Sequence, residues 1–389
     1  PISVKDLYGV DGTQTFAGSP APMPSPWQSE GDLIKALRQQ HSVFTGKTHT
    51  VEFAFGGVGI NSHWGTPQNP WDEHNHRAPG GSSSGAGVSL CEGSALVALG
   101  SDTAGSVRIP ASVTGNVGLK TSYGRWPVTG VFPLSPTLDT TGILTRTVED
   151  AVVAFSAIDP HQRSFGPRLT RQVAQCQPSD FVIGIGERSL WEGCDPGICE
   201  TVDDAIKELS QAGVRAIEAT LPEITPAIEL LKIGSVAAAE IDEMLETTAP
   251  DSRDTLDPLV SSRIKEGGSI SASEYLRRRR KLRSLSRAAN ARFETCQVIV
   301  SPTVAITPPK VSDVQTIETY RPKNLGMLKN TCGANYLNLC AITIPIGLDN
   351  AGMPVGLQLM AKHNHDESLL AIARCMEKIL GSGASRLNS

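Results

Sequence analysis

The chain has 389 residues, of which 39% are hydrophobic and 19% are charged, and its formal net charge at pH 7 is −5. This composition is typical of a globular protein and argues against nucleic acid or an anionic membrane as the main partner. No apolar run reaches the roughly 18 residues that a membrane helix needs, and no basic-then-apolar leader opens the chain. Eight scattered cysteines in mostly apolar surroundings indicate structural thiols, so we expect a cytoplasmic protein.

Short strands and turns are predicted for the first hundred residues. Residues 1–12 predict a strand that runs into a turn, and this abrupt opening suggests that chain is missing before it. Residues 31–40 have the apolar spacing of a helix, and residues 42–46 read as a strand. The run "SALVALGS", 94–101, predicts a short buried strand that feeds a glycine-containing turn.

The second half of the chain predicts a strand–helix–strand unit at "DFVIGIG", "TVDDAIKELSQAG" and "VRAIEATL". We expect its helix to begin at Thr201, with Asp204 in the first turn, and to end at Gly213. Such a unit implies parallel strands covered by a helix. A long helix should follow, opened by a capping box of Ser271 and Glu274.

The C-terminal region predicts a buried strand at "CQVIVSP", a hairpin around "DNAG" and a closing amphipathic helix at "DESLLAIARCMEKIL". No repeat, low-complexity tract or linker interrupts the pattern. The prediction is therefore an α/β fold, a single domain of residues 1–389 with a central mixed β-sheet covered by helices on both faces. Within it we expect a core of residues 1–159 and 291–389 and a more variable region, residues 160–290.

Four short patterns match binding motifs only in part. The run "GIGERS" at 184–189 lacks the third glycine of a dinucleotide loop, and "GKT" at 46–48 lacks the first glycine of a phosphate loop. The histidines of "DEHNH" at 72–76 would not share one helix face, and the basic residues of "RRRRK" at 277–281 would not lie on one side of a helix. We expect ordinary turns and solvated surfaces there, and no metal.

Residues 81–85 also fit the G-x-S-x-G elbow of α/β hydrolases, with His363 downstream. That elbow has to follow a buried strand, whereas this one follows a polar, proline-bounded stretch. The elbow interpretation is weaker for that reason but stays open.

The turn after residue 101 has the makings of a nucleophile site at Ser106. Successive N–H groups of Thr103, Ala104, Gly105 and Ser106 could converge on a developing oxyanion. A serine needs a base to take its proton, and a neutral lysine can serve. From these residues alone, a plain turn with a capping serine is an equally good interpretation.

At this point "PGGSSSGAG", "LGSDTAGSVRIPA" and "GLKTSYGR" together resemble the signature region of the amidase signature family. "VKDLYGVDGTQTFAGSP" resembles its catalytic-lysine segment, and "SPTLDTTGILTRTVEDAV", "VIVSPTVAITPP" and "ITIPIGLDNAGMPVGLQLMA" resemble later segments. The resemblance covers nearly the whole chain in order and is weakest between about 160 and 290. It implies the amidase signature fold and an amide-hydrolysing enzyme.

The resemblance also implies a Ser-cisSer-Lys triad. It assigns the nucleophile to Ser106, the relay serine that follows a cis peptide bond to Ser82, and the base to Lys5. Ser83 would support the relay by hydrogen bonding, and Asp102 is a second supporting residue. We expect Arg108 to pack and pair near Asp102 rather than to bind a substrate carboxylate. For Lys5 to act as a base it should be buried and largely neutral.

The rival lysines Lys47 and Lys120 lack the "KD" context of Lys5. The scheme needs no metal and no organic cofactor.

The substrate is left open. We expect a free-standing amidase acting on a small-molecule amide and releasing ammonia or an amine, with no nucleic acid partner and a homodimer as one possible assembly. One alternative is the glutaminase (A-type) subunit of a tRNA-dependent amidotransferase, although its usual tyrosine- and glycine-rich segment is replaced here by "LLKIGSVAAAEIDEMLE". Another is an ester-preferring hydrolase of the same family. Phe55, His63 and Trp64 are candidates for the acyl pocket, with plain packing an equal alternative.

Overall fold

The computed structural model describes residues 1–165 and 168–387 and contains one ten-stranded sheet. Its strands are β1 (Ile2–Lys5), β2 (Phe44–Thr48), β3 (Val97–Asp102), β4 (Val117–Lys120), β5 (Thr140–Thr145), β6 (Val182–Ile185), β7 (Arg215–Glu218), β8 (Val298–Pro302), β9 (Cys340–Leu348) and β10 (Pro354–Ala361). Their order across the sheet is β2-β1-β3-β5-β4-β9-β10-β8-β6-β7.

The sheet is mixed, as the sequence predicts. β1 pairs in parallel with β2 and β3, and β6 pairs in parallel with β7 and β8. The five strand pairs between these two parallel groups are antiparallel. The strand–helix–strand unit and the C-terminal hairpin are therefore both confirmed.

Helices flank the sheet and complete a single domain. They are α1 (Asp32–Gln39), α2 (Ser84–Cys91), α3 (Arg108–Val113), α4 (Val148–Ile158), α5 (Pro160–Phe165), α6 (Arg168–Gln175), α7 (Ile198–Gln211), α8 (Ile224–Lys232), α9 (Val236–Thr248), α10 (Pro258–Gly268), α11 (Ala272–Asn290), α12 (Ile317–Leu328), α13 (Cys332–Tyr336), α14 (Asp366–Leu380) and α15 (Gly383–Leu387). In residues 1–165 and 168–387, no helix combines the length and apolar character that a membrane crossing requires. All eight cysteines are free thiols.

Two predicted helix starts have different outcomes. Ser271 caps α11, because its hydroxyl accepts from the Glu274 amide at 3.3 Å. The start predicted at Thr201 is wrong, since α7 begins three residues earlier at Ile198. Glu200 there accepts from the amide of Gly197, so an acidic residue three positions after a glycine opens the helix.

Three neighbouring strands end at the same edge of the sheet. In β1, Val4 is paired with Leu99 of β3, and Lys5 is paired with Thr48 of β2. Because parallel strands run in register, their carboxyl ends and the loops that follow them meet there. This edge places Lys5 beside the turn that carries Ser106.

Candidate active site

Lys5 is fully buried at the carboxyl end of β1, between β2 and β3. Its Nζ donates a 2.7 Å hydrogen bond to Ser82 Oγ and a 2.9 Å hydrogen bond to Ser101 Oγ. These two serines, which lie 77 and 96 positions further along the chain, hold the amine in one orientation. The burial that a lysine base requires is present.

Burial lowers the pKa of Lys5 to about 7, although the negative charges of Asp102 and Asp139 oppose the shift. Desolvation disfavours the charged ammonium, and no carboxylate bonds the amine directly among the described residues. A large share of Lys5 is therefore the neutral amine near neutral pH, the form that can accept a proton.

The serine-rich loop is anchored by backbone contacts on both sides. A cis peptide bond joins Gly81 to Ser82, at the position that the family resemblance implies. The Ser82 carbonyl accepts from the Val51 amide at 3.1 Å, and the Ser83 amide donates to the Ser106 carbonyl at 3.2 Å. This last bond ties the two serine-bearing segments together.

Gly81 fills a position that only glycine tolerates. A Cβ on it would lie 2.8 Å from both the Gly56 carbonyl oxygen and the Gly59 amide nitrogen. The close approach of three backbone segments explains the glycine-rich composition around the serines. The same packing leaves Ser82, Ser83 and the following Ser84 fully buried.

The turn that carries Ser106 is organised by the carboxylate of Asp102. Its oxygens accept from the amide of Gly105 at 2.7 Å and from that of Val107 at 3.1 Å. Of the four amides expected to converge on an oxyanion, that of Gly105 is therefore already engaged. The amides of Thr103, Ala104 and Ser106 donate to no acceptor within residues 1–165 and 168–387.

Asp102 in turn forms a fully buried ion pair with Arg108, at 2.9 Å from the guanidinium. Burial alone would raise the pKa of Asp102, but the Arg108 charge and hydrogen bonds outweigh it and lower the pKa to about 2. Arg108 also donates to Asn335 at 2.7 Å and to the Thr331 carbonyl at 2.8 Å. The pair thus connects the Ser106 turn to α13, and Arg108 has the structural role expected from the sequence.

Ser106 opens onto a narrow cleft with a cavity volume of about 30 Å³. One wall comes from the N-terminal half of the chain and the other from the helices α8, α9, α10, α12 and α13. The lining residues are Ala54, Phe55, Gly56, Thr103, Ala104, Ser106, Leu134, Leu138, Leu231, Ser235, Ala237, Arg263, Leu328 and Tyr336. We call this space the Ser106 cleft; it is mostly apolar and has few polar groups.

Of the three aromatic or histidine candidates for the acyl pocket, only Phe55 lines this cleft. His63 Nε2 lies 3.1 Å from the buried carboxylate of Glu52. Trp64 is half exposed and donates to the Ser19 carbonyl. Packing is therefore the better account of His63 and Trp64.

The rival lysines are placed differently from Lys5. Lys47 forms an ion pair with Asp6 at 2.8 Å. Lys120 is buried, and burial lowers its pKa to about 8, but its Nζ donates to the Thr121 carbonyl and contacts neither serine. Lys5 is the lysine that reaches the serine loop.

Sequence reasoning missed two polar groups around the site. Ser101, the last but one residue of β3, is the second acceptor of the Lys5 amine. Asp139 accepts from the Thr103 hydroxyl at 2.6 Å and from two backbone amides, and burial raises its pKa to about 6. Asp139 lies in the "SPTLDTT" segment that carried the resemblance, so a signal for it was present.

No group of three or more histidine, cysteine, aspartate or glutamate side chains within the described part of the chain could hold a metal ion. His74 and His76, considered as ligands from the sequence, instead lie in a loop organised by Asp72. Asp72 accepts from the His74 amide, while His76 Nε2 contacts the Thr66 carbonyl.

The Amidase family model matches residues 1–370 of the chain. A 2-amino-5-chloromuconic acid deaminase from Comamonas testosteroni is 46% identical over 389 residues, covering all of this chain and 83% of that protein. The A-type subunit of a glutamyl-tRNA(Gln) amidotransferase from Akkermansia muciniphila is 32% identical, covering 95% of this chain and 84% of that protein.

A solved amidase structure superimposes with a TM-score of 0.85 at 26% sequence identity, covering 98% of this chain and 84% of that one. The family match spans almost the entire chain, and the fold agrees with it. The chain therefore belongs to the amidase signature family and is a hydrolase of amide C–N bonds.

Proposed function

We propose that the protein hydrolyses a small-molecule amide through an acyl-enzyme on Ser106, with Ser82 as proton relay and Lys5 as base. The observation that carries this proposal is the 2.7 Å contact between Lys5 Nζ and Ser82 Oγ in a fully buried setting. A pKa of about 7 makes Lys5 a base matched to neutral pH. In the neutral amine the hydrogen bond can reverse, so that the Ser82 hydroxyl donates to the nitrogen lone pair.

The proposed reaction transfers a proton equivalent from Ser106 through Ser82 to Lys5 and then returns it to the leaving nitrogen. Ser106 gives its proton to Ser82 as Ser82 gives its own to Lys5, and the Ser106 oxygen bonds to the amide carbon. The C–N bond then breaks, and the leaving nitrogen takes the proton back from Lys5 by way of Ser82. Water, activated by the same path, hydrolyses the Ser106 ester and releases the acid.

Within the described residues no hydrogen bond joins the Ser106 hydroxyl to Ser82. The backbone bond from Ser83 to Ser106 nevertheless keeps the two segments adjacent. The proposed transfer requires the Ser106 hydroxyl to turn toward Ser82 when substrate binds, since catalytic hydrogen bonds often tighten only in the complex.

The oxyanion site in this proposal uses three amides rather than four. Those of Thr103, Ala104 and Ser106 are available, whereas the amide of Gly105 is bound by Asp102. Removing one such donor typically costs about 3 kcal/mol of transition-state stabilisation. Asp102 therefore acts by fixing the turn, and Ser83 by holding it against the serine loop.

A free-standing hydrolase is favoured over the amidotransferase subunit because the relative with 46% identity is a deaminase, whereas the amidotransferase subunit is 32% identical. Ammonia release is therefore the reaction to assay first. Release of ammonia from glutamine only in the presence of a partner protein would support the amidotransferase alternative. Ester turnover far above amide turnover would support the esterase alternative.

The decisive experiment replaces the two groups at the ends of the relay. Ser106→Ala should lower kcat at least ~10⁴-fold, and Lys5→Ala should be nearly as damaging because these groups act as a unit. Ser84→Ala is the matched control: it lies in the same loop but bonds His49, and its activity should stay within about threefold. Substantial turnover by a folded Ser106→Ala protein would remove Ser106 as nucleophile.

A further inference from the structure

Arg263 of α10 lines the Ser106 cleft without a carboxylate partner. Its guanidinium donates to the Phe55 carbonyl at 2.7 Å and lies over the Phe55 ring at 4.0 Å from the centroid. No ion pair to it is formed within residues 1–165 and 168–387. Burial lowers the pKa of Arg263, although the nearby Glu266 carboxylate opposes the shift.

Two arginines with more deeply buried side chains than the half-buried Arg263 have carboxylate partners. Arg108 is paired with Asp102, and Arg125 is paired with both Asp159 and Glu367. A cation removed from water is costly unless it is paired, so a lone guanidinium facing a cleft calls for an explanation. Arg263 keeps its charge at any physiological pH, and its planar fork matches a carboxylate.

The nearest acidic side chain does not supply the missing partner. Glu266, one turn further along α10, shares the adjoining groove with Arg263 but is paired with Arg321. Tyr320 approaches Arg263 as a hydroxyl and carries no charge at neutral pH, because burial raises its pKa. The positive charge at the cleft wall thus has no ion-pair partner among the described residues, although Glu266 stabilises it from a longer distance.

A second group in the same cleft also lacks a partner. Tyr336 is 3% exposed, and Ser235 on the same wall approaches its hydroxyl without completing a hydrogen bond. No other group among the described residues bonds this hydroxyl either. A buried hydroxyl without a partner costs about 1–3 kcal/mol. Burial raises the pKa of Tyr336, so the hydroxyl remains a neutral donor.

We infer that Arg263 and Tyr336 bind a carboxylate of the substrate, which makes the substrate an amide whose acyl chain ends in an acid. The inference rests on the proposed function in one respect: the amide carbonyl is taken to lie at Ser106. Between the two ends the cleft is apolar, lined by Leu134, Leu138, Leu231 and Leu328. The cleft is narrow, with a cavity volume of about 30 Å³, which favours a short chain over a long one, so the chemical class is the monoamides of short dicarboxylic acids.

The test compares substrates that differ only in the terminal acid. Succinamic acid is paired with butyramide and glutaramic acid with valeramide, and kcat/KM is measured by ammonia release. Arg263→Gln should lower kcat/KM for the acids about 100-fold and change it for the neutral amides less than about threefold. Arg263→Lys should recover part of the loss, because it keeps the charge without the fork. Tyr336→Phe should cost about tenfold on the acids alone.

Arg188→Gln is the control for general loss of positive charge. Arg188 is exposed, lies 3.8 Å from Glu192 and does not line the Ser106 cleft, so the ratio of acid to neutral amide should not change. Equal losses on both members of a pair, or an unchanged ratio in Arg263→Gln, would overturn the inference. Thermal unfolding shows whether each variant is folded, and Arg263→Lys preserves the test if the glutamine variant is not.

Direct binding separates this inference from the proposed function. Glutarate should bind the wild-type protein and the Ser106→Ala variant in calorimetry, and bind Arg263→Gln at least about tenfold more weakly. Absence of glutarate binding to the wild type, or equal binding to Arg263→Gln, rejects the carboxylate site whatever Ser106 does. Full turnover by Ser106→Ala would instead reject the nucleophile and leave the binding result standing.

Discussion

The hydroxyl of Ser101 accepts a 2.9 Å hydrogen bond from Lys5 Nζ, so the amine is held by a strand residue as well as by the serine loop. The neighbouring Ser82 completes the pair of contacts at 2.7 Å. With both contacts in place, the amine can neither rotate freely nor reach solvent. Ser101 is therefore a positioning residue for the proposed base.

Replacing Ser101 should slow the reaction without weakening substrate binding. Ser101→Ala should lower kcat about 10- to 100-fold with KM nearly unchanged, because Lys5 loses one of its two anchors. Ser101→Thr, which retains the hydroxyl, should recover most of the loss. Ser3→Ala is the matched control, since Ser3 is a buried serine of β1 whose hydroxyl bonds Ser89 instead. A similar loss in both alanine variants would point to a general effect on the strands.

The pH profile should report the titration of Lys5. Burial lowers the pKa of this amine to about 7, and in the proposed mechanism the neutral form is the active one. Lowering the pH below 7 protonates it, so kcat/KM should fall about tenfold per pH unit there and level off above about pH 8. Steady-state kinetics between about pH 5.5 and 9, with unfolding monitored at each pH, provides the measurement. A flat profile across this range would exclude Lys5 as the titrating base.

The same shift has a consequence for stability. In the unfolded chain Lys5 would titrate near its ordinary pKa of 10.5, whereas in the folded protein its pKa is about 7. Between these values the unfolded state binds more protons, so this residue makes stability rise with pH from about 7 to about 10.5. Lys5→Met should remove that contribution, seen as a flatter dependence of the free energy of unfolding on pH.

Arg108 should matter more to folding than an exposed arginine does. Arg108→Met leaves Asp102 buried and uncompensated, and the expected loss is about 3–5 kcal/mol of unfolding free energy. Arg188, which is exposed and lies 3.8 Å from Glu192, is the comparison. Arg188→Met should change the free energy of unfolding by less than about 1 kcal/mol. Urea unfolding measures both. Comparable effects would show that the Asp102 charge is solvated in some other way.

Gly105→Ala should damage both the fold and the reaction. Gly105 has φ of +135°, and a Cβ on it would meet Thr331 Oγ1 at 2.1 Å. Gly12→Ala separates the two causes, because Gly12 also has a positive φ, +85°, but nothing lies within 4 Å of the Cβ that alanine would add. We expect the Gly12 variant to lose about 1 kcal/mol and retain activity. Equal behaviour of the two would mean that backbone conformation alone is responsible.

The sequence predicted most of the strands, and did so best where they are short, apolar and bounded by turn residues, as β3 and β8 are, but it predicted none at β4 or β5. It placed the start of α7 wrongly, because Thr201 and Glu200 both offer capping chemistry. In the structure the helix follows Gly197, which has φ of +91°, and a Cβ added at this position would crowd the Asn350 backbone. That choice depends on a hairpin about 150 residues further along the chain, which no local pattern reveals.

Site prediction from sequence depended strongly on family resemblance. From local chemistry alone, a nucleophile and a capping serine were equally good interpretations of Ser106. Only the resemblance identified Lys5 and Ser82 as its proposed partners. The hydrogen bond from the Gly105 amide to Asp102 could have been predicted, since an aspartate often accepts from a backbone amide shortly after it in the chain. Arg263 and Tyr336 were not accessible, because their role follows from the partners that they lack, and pairing is decided by tertiary packing.

The Ser106 cleft has two walls of separate origin, and this division makes the enzyme modular. Every group that we propose to act in bond breaking lies before residue 110, while the wall facing these groups is built largely by helices between residues 224 and 336. Exchanging that helical wall with the matching segment of a relative should transplant substrate preference while the bond-breaking machinery is inherited intact. Enzymes with this scaffold could then acquire new substrates by changes in the helical wall alone, while the residues that break the bond stay the same.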